Sequence, residues 1–298
     1  QTGSGKTAAF VLPLLNRLLG DGNSRQRLSI RALILLPTRE LAQQTLKEVE
    51  RFAQFTFLKA GLVTGGEDFK VQAALMRKID ILIGTPGRLI EHANAGNLPL
   101  DEVEVLVFDE ADRMLDMGFV DSISEIIEQT PARRQTLLFS ATYPAGIEQL
   151  AARFLRNPER VEVEALHDDG QIEQRFYEIA PGQRMEAVST LLRHLRKQPV
   201  VAFCATRQQC DELARQLEAE KISAAALHGD LEQRERDQIL ALFANRSLSV
   251  LVATDVAARG LDIAGLEMVI NVELSRDAEV HIHRIGRSGR AGEKGLAL

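Results

Sequence analysis

Apolar and polar positions run along the chain in two alternating rhythms. Short apolar runs of strand length recur, and amphipathic stretches of helical length lie between them. The runs predict strands at Ala32 to Leu36, Leu58 to Thr64, Asp80 to Ile83, Val103 to Phe108, Gln135 to Phe139 and Val161 to Glu164. Helices are predicted between them, as at Arg39 to Phe52 and Ser122 to Gln129, and the polar, glycine-bearing Gly20 to Arg27 predicts a loop. Strands that alternate with helices make a parallel sheet covered on both faces.

The rhythm pauses over Ala165 to Gln171, which has no apolar period, and then restarts. Strands are predicted at Phe176 to Ile179, Pro199 to Cys204, Ser223 to Leu227, Leu248 to Ala253 and Glu267 to Val272, with helices near Met185 to Arg196, Gln208 to Glu220 and Leu231 to Ala244. The fold class is therefore α/β in two tandem domains, residues 1–164 and 174–298, joined by a linker at 165–173. Two such domains on a short linker form a cleft, where ligands commonly bind.

One apolar run breaks abruptly. Leu106-Val107-Phe108 passes straight into Asp109, Glu110, Ala111 and Asp112. A buried strand of this kind delivers its carboxylates at its carboxyl end, where open α/β sheets place ligands. Clustered acid is costly there unless something cationic faces it. A metal-bound phosphate meets that need, because a hard divalent cation takes oxygen ligands and compensates their charge. Taken alone, the run reads equally well as an acidic surface turn.

The first line of the chain shifts that balance. Gln1-Thr2-Gly3-Ser4-Gly5-Lys6-Thr7 is the back half of a phosphate-binding loop, in which glycines let backbone N–H groups converge on phosphate oxygens. Lys6 would neutralise those oxygens and Thr7 would hold magnesium, with Ala8 to Leu12 opening a helix behind them. Loop and acidic strand tip together supply both halves of a magnesium–nucleotide site. Such a loop needs a strand before it, and Gly295 to Leu298 reads as a strand cut off in mid-run, so the chain is expected to be truncated at both ends. Unpaired sheet edges would then make these residues prone to aggregate or melt poorly when expressed alone.

Composition narrows the function classes. The 298 residues are 45% hydrophobic, enough for two cores, and no apolar run approaches the ~18 residues of a membrane span. No signal peptide is visible, so the cytoplasm is the expected compartment. Cys204 and Cys210 match neither a metal pattern nor a CxxC motif and read as buried or half-buried free thiols. A net charge of −6 argues against holding nucleic acid by bulk electrostatics but leaves room for a local groove of arginines and backbone N–H groups. With no Trp and 5% aromatics, stacking of bases on aromatic platforms is disfavoured.

The second half has no phosphate loop, but it ends in Val280-His281-Ile282-His283-Arg284-Ile285-Gly286-Arg287-Ser288-Gly289-Arg290-Ala291-Gly292. Arg287 and Arg290, three apart, would project to one side of a helix or tight turn. Such a cluster is ordinarily a solvated basic face. Beside a nucleotide site with nothing to stabilise charge on the transferring phosphoryl group, it reads as a pair of arginine fingers.

With these segments in view, the chain resembles the DEAD-box family of superfamily 2 RNA helicases over essentially its whole length. The matching segments in the first half are TGSGKT (Thr2 to Thr7), PTRELA (Pro37 to Ala42), Gly65-Gly66, TPGR (Thr85 to Arg88), DEAD (Asp109 to Asp112) and SAT (Ser140 to Thr142). The second half adds HGDLEQRER (His228 to Arg236), ATDVAARGLDI (Ala253 to Ile263) and HRIGRSGR (His283 to Arg290). The resemblance implies two RecA-like domains and ATP with Mg2+ as the bound nucleotide and cofactor.

It also implies residue roles. Thr2, Gly3, Ser4, Gly5, Lys6 and Thr7 would bind the phosphates, with Thr7 and Asp109 serving the magnesium. Glu110 would orient and deprotonate the attacking water, while Ser140 and Thr142 would couple to Asp112. Gly260 and Asp262 would line the nucleotide from the second domain, and Arg287 and Arg290 would reach the γ phosphate. Pro37, Arg39, Gly66, Thr85 and Arg88 would touch the RNA backbone, as would Arg207, Gly229 and Thr254. Contacts to the backbone carry little sequence information.

The implied function is RNA-stimulated ATP hydrolysis at the cleft between two domains, driving local unwinding or remodelling of RNA by a monomer. The second half is most similar to family members that act in ribosome assembly, which implies ribosomal RNA or a preribosomal particle as partner. An ATP-gated RNA clamp with little turnover is the alternative, and the presence of Glu110, Arg287 and Arg290 weighs against it. A DNA translocase is disfavoured by the DEAD, PTRELA and HRIGRSGR forms.

Overall fold

The computed structural model describes residues 6–20, 29–143, 145–162, 172–180, 182–195, 199–258, 266–275, 278–288 and 295–298. The chain divides into two compact units, one within Thr2–Glu162 and the other within Val163–Leu298.

The first unit runs α1 (Lys6–Gly20), β1 (Ala32–Leu35), α2 (Arg39–Ala53), β2 (Ala60–Val63), α3 (Phe69–Met76), β3 (Ile81–Gly84), α4 (Pro86–Asn94), β4 (Val105–Phe108), α5 (Ala111–Asp116), α6 (Val120–Glu128), β5 (Gln135–Leu138) and α7 (Ala145–Phe154). Its sheet has the order β2-β3-β1-β4-β5, and every pairing is parallel. Strands β1, β3 and β4 are buried at every position, as unbroken apolar runs flanked by helices should be. One core packs Leu33, Leu35, Leu106 and Phe108 under α4, α6 and α7; the other packs Ile34, Ile83 and Val107 under α1 and α2. Gly84 sits where a Cβ would come within 2.8 Å of the Val63 carbonyl oxygen, so a side chain is excluded at the tip of β3.

The second unit runs β6 (Ile172–Gln174), α8 (Arg184–Leu195), β7 (Val200–Cys204), α9 (Arg207–Ala219), β8 (Ala224–Leu227), α10 (Gln233–Ala244), β9 (Val250–Thr254), α11 (Asp255–Ala258), β10 (Met268–Asn271), α12 (Ala278–Ile285) and β11 (Gly295–Ala297). Its sheet, β6-β11-β10-β7-β9-β8, is also parallel throughout. Cys204 and Cys210 are buried free thiols in its core, as their spacing predicts. A bond to Cys210, together with burial, pushes the Cys204 thiol far up, which disfavours its thiolate.

Two predicted strands shift. Phe176 to Ile179 is not a strand; the ladder lies upstream at β6, taking Ile172 and Glu173 out of the predicted linker. Its ladder with β11 covers Ile172 to Gln174, and Phe176 is 69% exposed. Val161 and Glu162 lie in no strand, and Val163 and Glu164 are outside the described residues. Among the described residues, no helix is long and apolar enough to cross a membrane.

Candidate active site

The tip of β4 carries Asp109 and Glu110 into the start of α5. The Asp109 N–H donates to the Leu35 carbonyl at 3.0 Å, and the Ala111 N–H to the Phe139 carbonyl at 3.0 Å, so the acidic turn is tied to the tips of both neighbouring strands. Glu110 occupies the left-handed region, φ 54° and ψ 52°, where a side chain costs about 1–2 kcal/mol relative to ordinary helix. Strain of this kind gathers at functional sites, because surrounding structure must impose it.

The three acids have different surroundings. Asp109 is 8% exposed, and burial together with the charge of Glu110 pushes its carboxyl up to about 6, against the opposing pull of Lys6. Glu110 forms an ion pair with Arg113, one helical turn on. Asp112 turns the other way: one carboxylate oxygen accepts from the Thr142 N–H at 3.2 Å and the Thr142 hydroxyl at 3.0 Å. The Ser140 hydroxyl accepts from the Asp112 N–H at 3.3 Å. The structure thus brings Asp112, Ser140 and Thr142 together.

Lys6 and Thr7 open α1, and Lys6 is near enough to Asp109 to act on its charge. Thr2, Gly3, Ser4 and Gly5 lie outside the described residues, as do Gly260, Asp262 and Arg290. Among the described residues, no group of three or more His, Cys, Asp or Glu is gathered for a metal.

The predicted nucleic-acid contacts fall on loops built alike in the two units. Thr38 caps α2 at φ −130° and ψ 154°, and Thr206 caps α9 at φ −127° and ψ 157°, so Arg39 and Arg207 each stand first in a helix that follows a central strand. Arg39 donates to the Gly65 carbonyl at 3.1 Å and to Glu67 at 3.0 Å. Arg207 pairs with Asp230, and a Cβ at Gly229 would lie 3.9 Å from its guanidinium. Pro37 is buried beside Thr38, and Gly66 is exposed at φ 86°, a conformation that favours glycine. Thr85 is the N-cap of α4, without a side-chain capping bond.

Arg88 does not stand free toward a ligand. Its three nitrogens donate to Gln72, Glu91 and the Glu67 carbonyl. In the second unit, Thr254 ends β9 half-buried, and Arg287 follows α12 in a turn, its N–H donating to the Arg284 carbonyl at 3.1 Å. Arg287 is thus in a turn beyond the helix end. Sequence reasoning missed Arg284, which is 4% exposed: it grips Asp255 through two bonds of 2.6 and 2.8 Å and donates to the Glu273 carbonyl at 2.7 Å. Both partners lie inside matched segments, ATDVAARGLDI and HRIGRSGR, so the signal was their shared motif membership.

A family model described as DEAD/DEAH box helicase matches residues 1–150, and one described as helicase conserved C-terminal domain matches residues 183–292. The chain belongs to the DEAD/DEAH box helicase family. Within that family it is 48% identical over 300 residues to the ATP-dependent RNA helicase DbpA of Escherichia coli (strain K12), covering 100% of this chain and 65% of DbpA. It is 42% identical over 300 residues to the ATP-dependent RNA helicase CshA of Listeria monocytogenes, covering 100% of this chain and 57% of CshA. The chain therefore spans less than two thirds of the length of these DEAD-box relatives. The structure of S. cerevisiae Dbp5 bound to RNA and ADP BeF3 aligns with a TM-score of 0.86 and 31% identity, covering 100% of this chain and 76% of that one. Two RecA-like domains, each a parallel sheet flanked by helices, are thus the shared architecture.

Proposed function

We propose that this DEAD-box chain is the motor of an ATP-dependent RNA helicase, hydrolysing ATP when RNA is bound and using the cycle to open or remodel local RNA duplex. One observation carries the reading. Asp112, a neighbour of the acids facing the phosphate-loop lysine, is held by Thr142 of the following strand-tip segment, so the nucleotide site is physically joined to a second element.

In this reading Lys6 and Thr7, with Thr2 to Gly5, bind the triphosphate. Asp109 and Thr7 would hold magnesium, which when bound neutralises phosphate charge; the buried, uphill-shifted carboxyl of Asp109 fits a cation. Glu110 orients and deprotonates the attacking water. Arg287 and Arg290 stabilise charge on the transferring phosphoryl group, and Gly260 and Asp262 line the nucleotide. Pro37, Arg39, Gly66, Thr85, Arg207, Gly229 and Thr254 hold the RNA backbone. The like construction of the Arg39 and Arg207 loops supports one strand being gripped by both units. Ribosomal RNA or a preribosomal particle is the target, and a cytoplasmic monomer the working form.

The test is phosphate release by the protein under multiple turnover, with matched single-stranded RNA, short RNA duplex and DNA. Stimulation by RNA and not by DNA is expected. ATP-dependent RNA binding without turnover would make the protein a clamp, and indifference to RNA would overturn the assignment.

A further inference from the structure

Behind the Gly65-Gly66 loop lies a polar cluster that, apart from Arg88, the sequence motifs do not include. Gln72, on α3, is 3% exposed, yet both ends of its amide are engaged. Its nitrogen donates to the Thr64 carbonyl at 2.8 Å, and its oxygen accepts from Arg88 Nε at 2.9 Å. Arginine can only donate and a carbonyl can only accept, so these two partners fix the orientation of the amide. The same oxygen lies 3.2 Å from His92 Nε2, which must therefore carry its proton there. The His92 ring is itself pinned, stacked on Phe69 with centroids 3.9 Å apart and 6° between planes. Burial and the neighbouring Arg88 charge hold the His92 pKa below its ordinary value, which favours the neutral ring.

The cluster joins two of the loops assigned above to RNA. Gln72 reaches the backbone immediately before Gly65. Arg88 reaches the backbone immediately after Gly66, at the Glu67 carbonyl, and belongs to the helix capped by Thr85. Gly65 and Gly66 themselves are exposed, with Gly66 at φ 86°. A loop of two glycines loses much conformational entropy when ordered, and the cluster has ordered it in advance.

We infer that Gln72, with His92, is a positioning residue for RNA binding, and that Arg88 acts with it as a brace on the Gly65-Gly66 backbone rather than as a direct phosphate ligand. This rests on the proposed RNA-binding role of the first unit. The two ideas separate by salt. A cation touching a phosphate releases counterions, so removing it lowers the slope of log K against log[salt] by about 0.7 for a single strand. A brace contributes affinity but no slope.

The experiment measures single-stranded RNA binding across a salt series with a non-hydrolysable ATP analogue, alongside steady-state ATPase. Gln72→Met and Arg88→Ala should each weaken RNA binding by about tenfold, a loss typical of supporting residues, at unchanged salt slope. Gln72→Met should leave KM for ATP unchanged. Should Gln72→Met fail to fold, His92→Phe keeps the stack on Phe69, removes the bond to Gln72, and is read the same way. A reduced slope for Arg88→Ala would make Arg88 a phosphate ligand and overturn the brace. RNA affinity unchanged in the Gln72 or His92 variant would overturn the positioning role. If the unaltered protein bound no RNA with the analogue, the proposed function would fail instead.

Discussion

Asp112 and Thr142, 30 positions apart, are joined by two hydrogen bonds to one carboxylate oxygen, from the threonine N–H at 3.2 Å and from its hydroxyl at 3.0 Å. Asp112 is 6% exposed, so this oxygen depends on protein donors. In the proposed function its neighbours Asp109 and Glu110 serve the nucleotide, and one short turn joins them to the carboxylate that Thr142 holds.

Thr142→Val keeps the N–H and the shape of the side chain but deletes the hydroxyl donor. It should destabilise the protein by about 1–2 kcal/mol in chemical unfolding, the cost of a charged hydrogen bond to a buried group. RNA-stimulated ATPase should survive while strand displacement per ATP falls. Equal losses of both activities would show that the bond serves catalysis and not coupling.

Glu110→Gln retains size and removes the base. ATP and RNA binding should persist while hydrolysis falls by a factor of about 10² to 10⁴. The ion pair to Arg113 is also lost, so unfolding should be followed in parallel. Wild-type turnover in a folded variant would remove Glu110 from its role.

Asp109 carries a pH signature. Its folded carboxyl is raised from 3.8 to about 6, first by burial and then by Glu110. Between those values the native state holds more protons than the unfolded chain, so the native state loses stability as pH rises from about 4 to 6, and the penalty is complete above 6. Asp109→Asn should therefore stabilise the ligand-free protein at pH 7–8, by at most about 3 kcal/mol, with the gain vanishing below pH 4. Affinity for magnesium–ATP in the unaltered protein should rise with pH through about 6, because the ionised carboxylate is the form that holds the cation. Calorimetry across the pH series checks both; a pH-independent difference between variant and parent would contradict the shift.

Arg284→Met leaves the half-buried Asp255 without its guanidinium partner, while the aliphatic stem is retained. A loss of up to about 3 kcal/mol is expected, less than for a fully buried pair because water still reaches the carboxylate, read as an earlier denaturant midpoint for the second unit. A shift within error would mean that Asp255 finds water or another donor.

Much of the fold was legible in the residue pattern. Parallel strands buried on both faces must be apolar at every position, so Ala32 to Leu35 and Val105 to Phe108 announced themselves as runs. The acids after Phe108 were equally readable as the tip of a strand, and Lys6 with Thr7 as the start of a helix. Neither reading required knowing what lies beside them.

Position 72 shows the other side. A glutamine in the polar pattern of a short helix carries no periodic signal, and its importance arises because the sheet order β2-β3-β1 sets the loop after β2 beside the helix after β3. Arg88 likewise reads as a ligand in its motif, and only the folded unit shows its bonds to Gln72, Glu91 and the Glu67 carbonyl. β6 pairs with β11, 121 positions further along when counted from Gln174 to Gly295. Burial follows a local alternation and is written into consecutive residues. Hydrogen-bond partnership depends on which strand ends and loops the chain topology makes neighbours, and that is a property of the folded units alone.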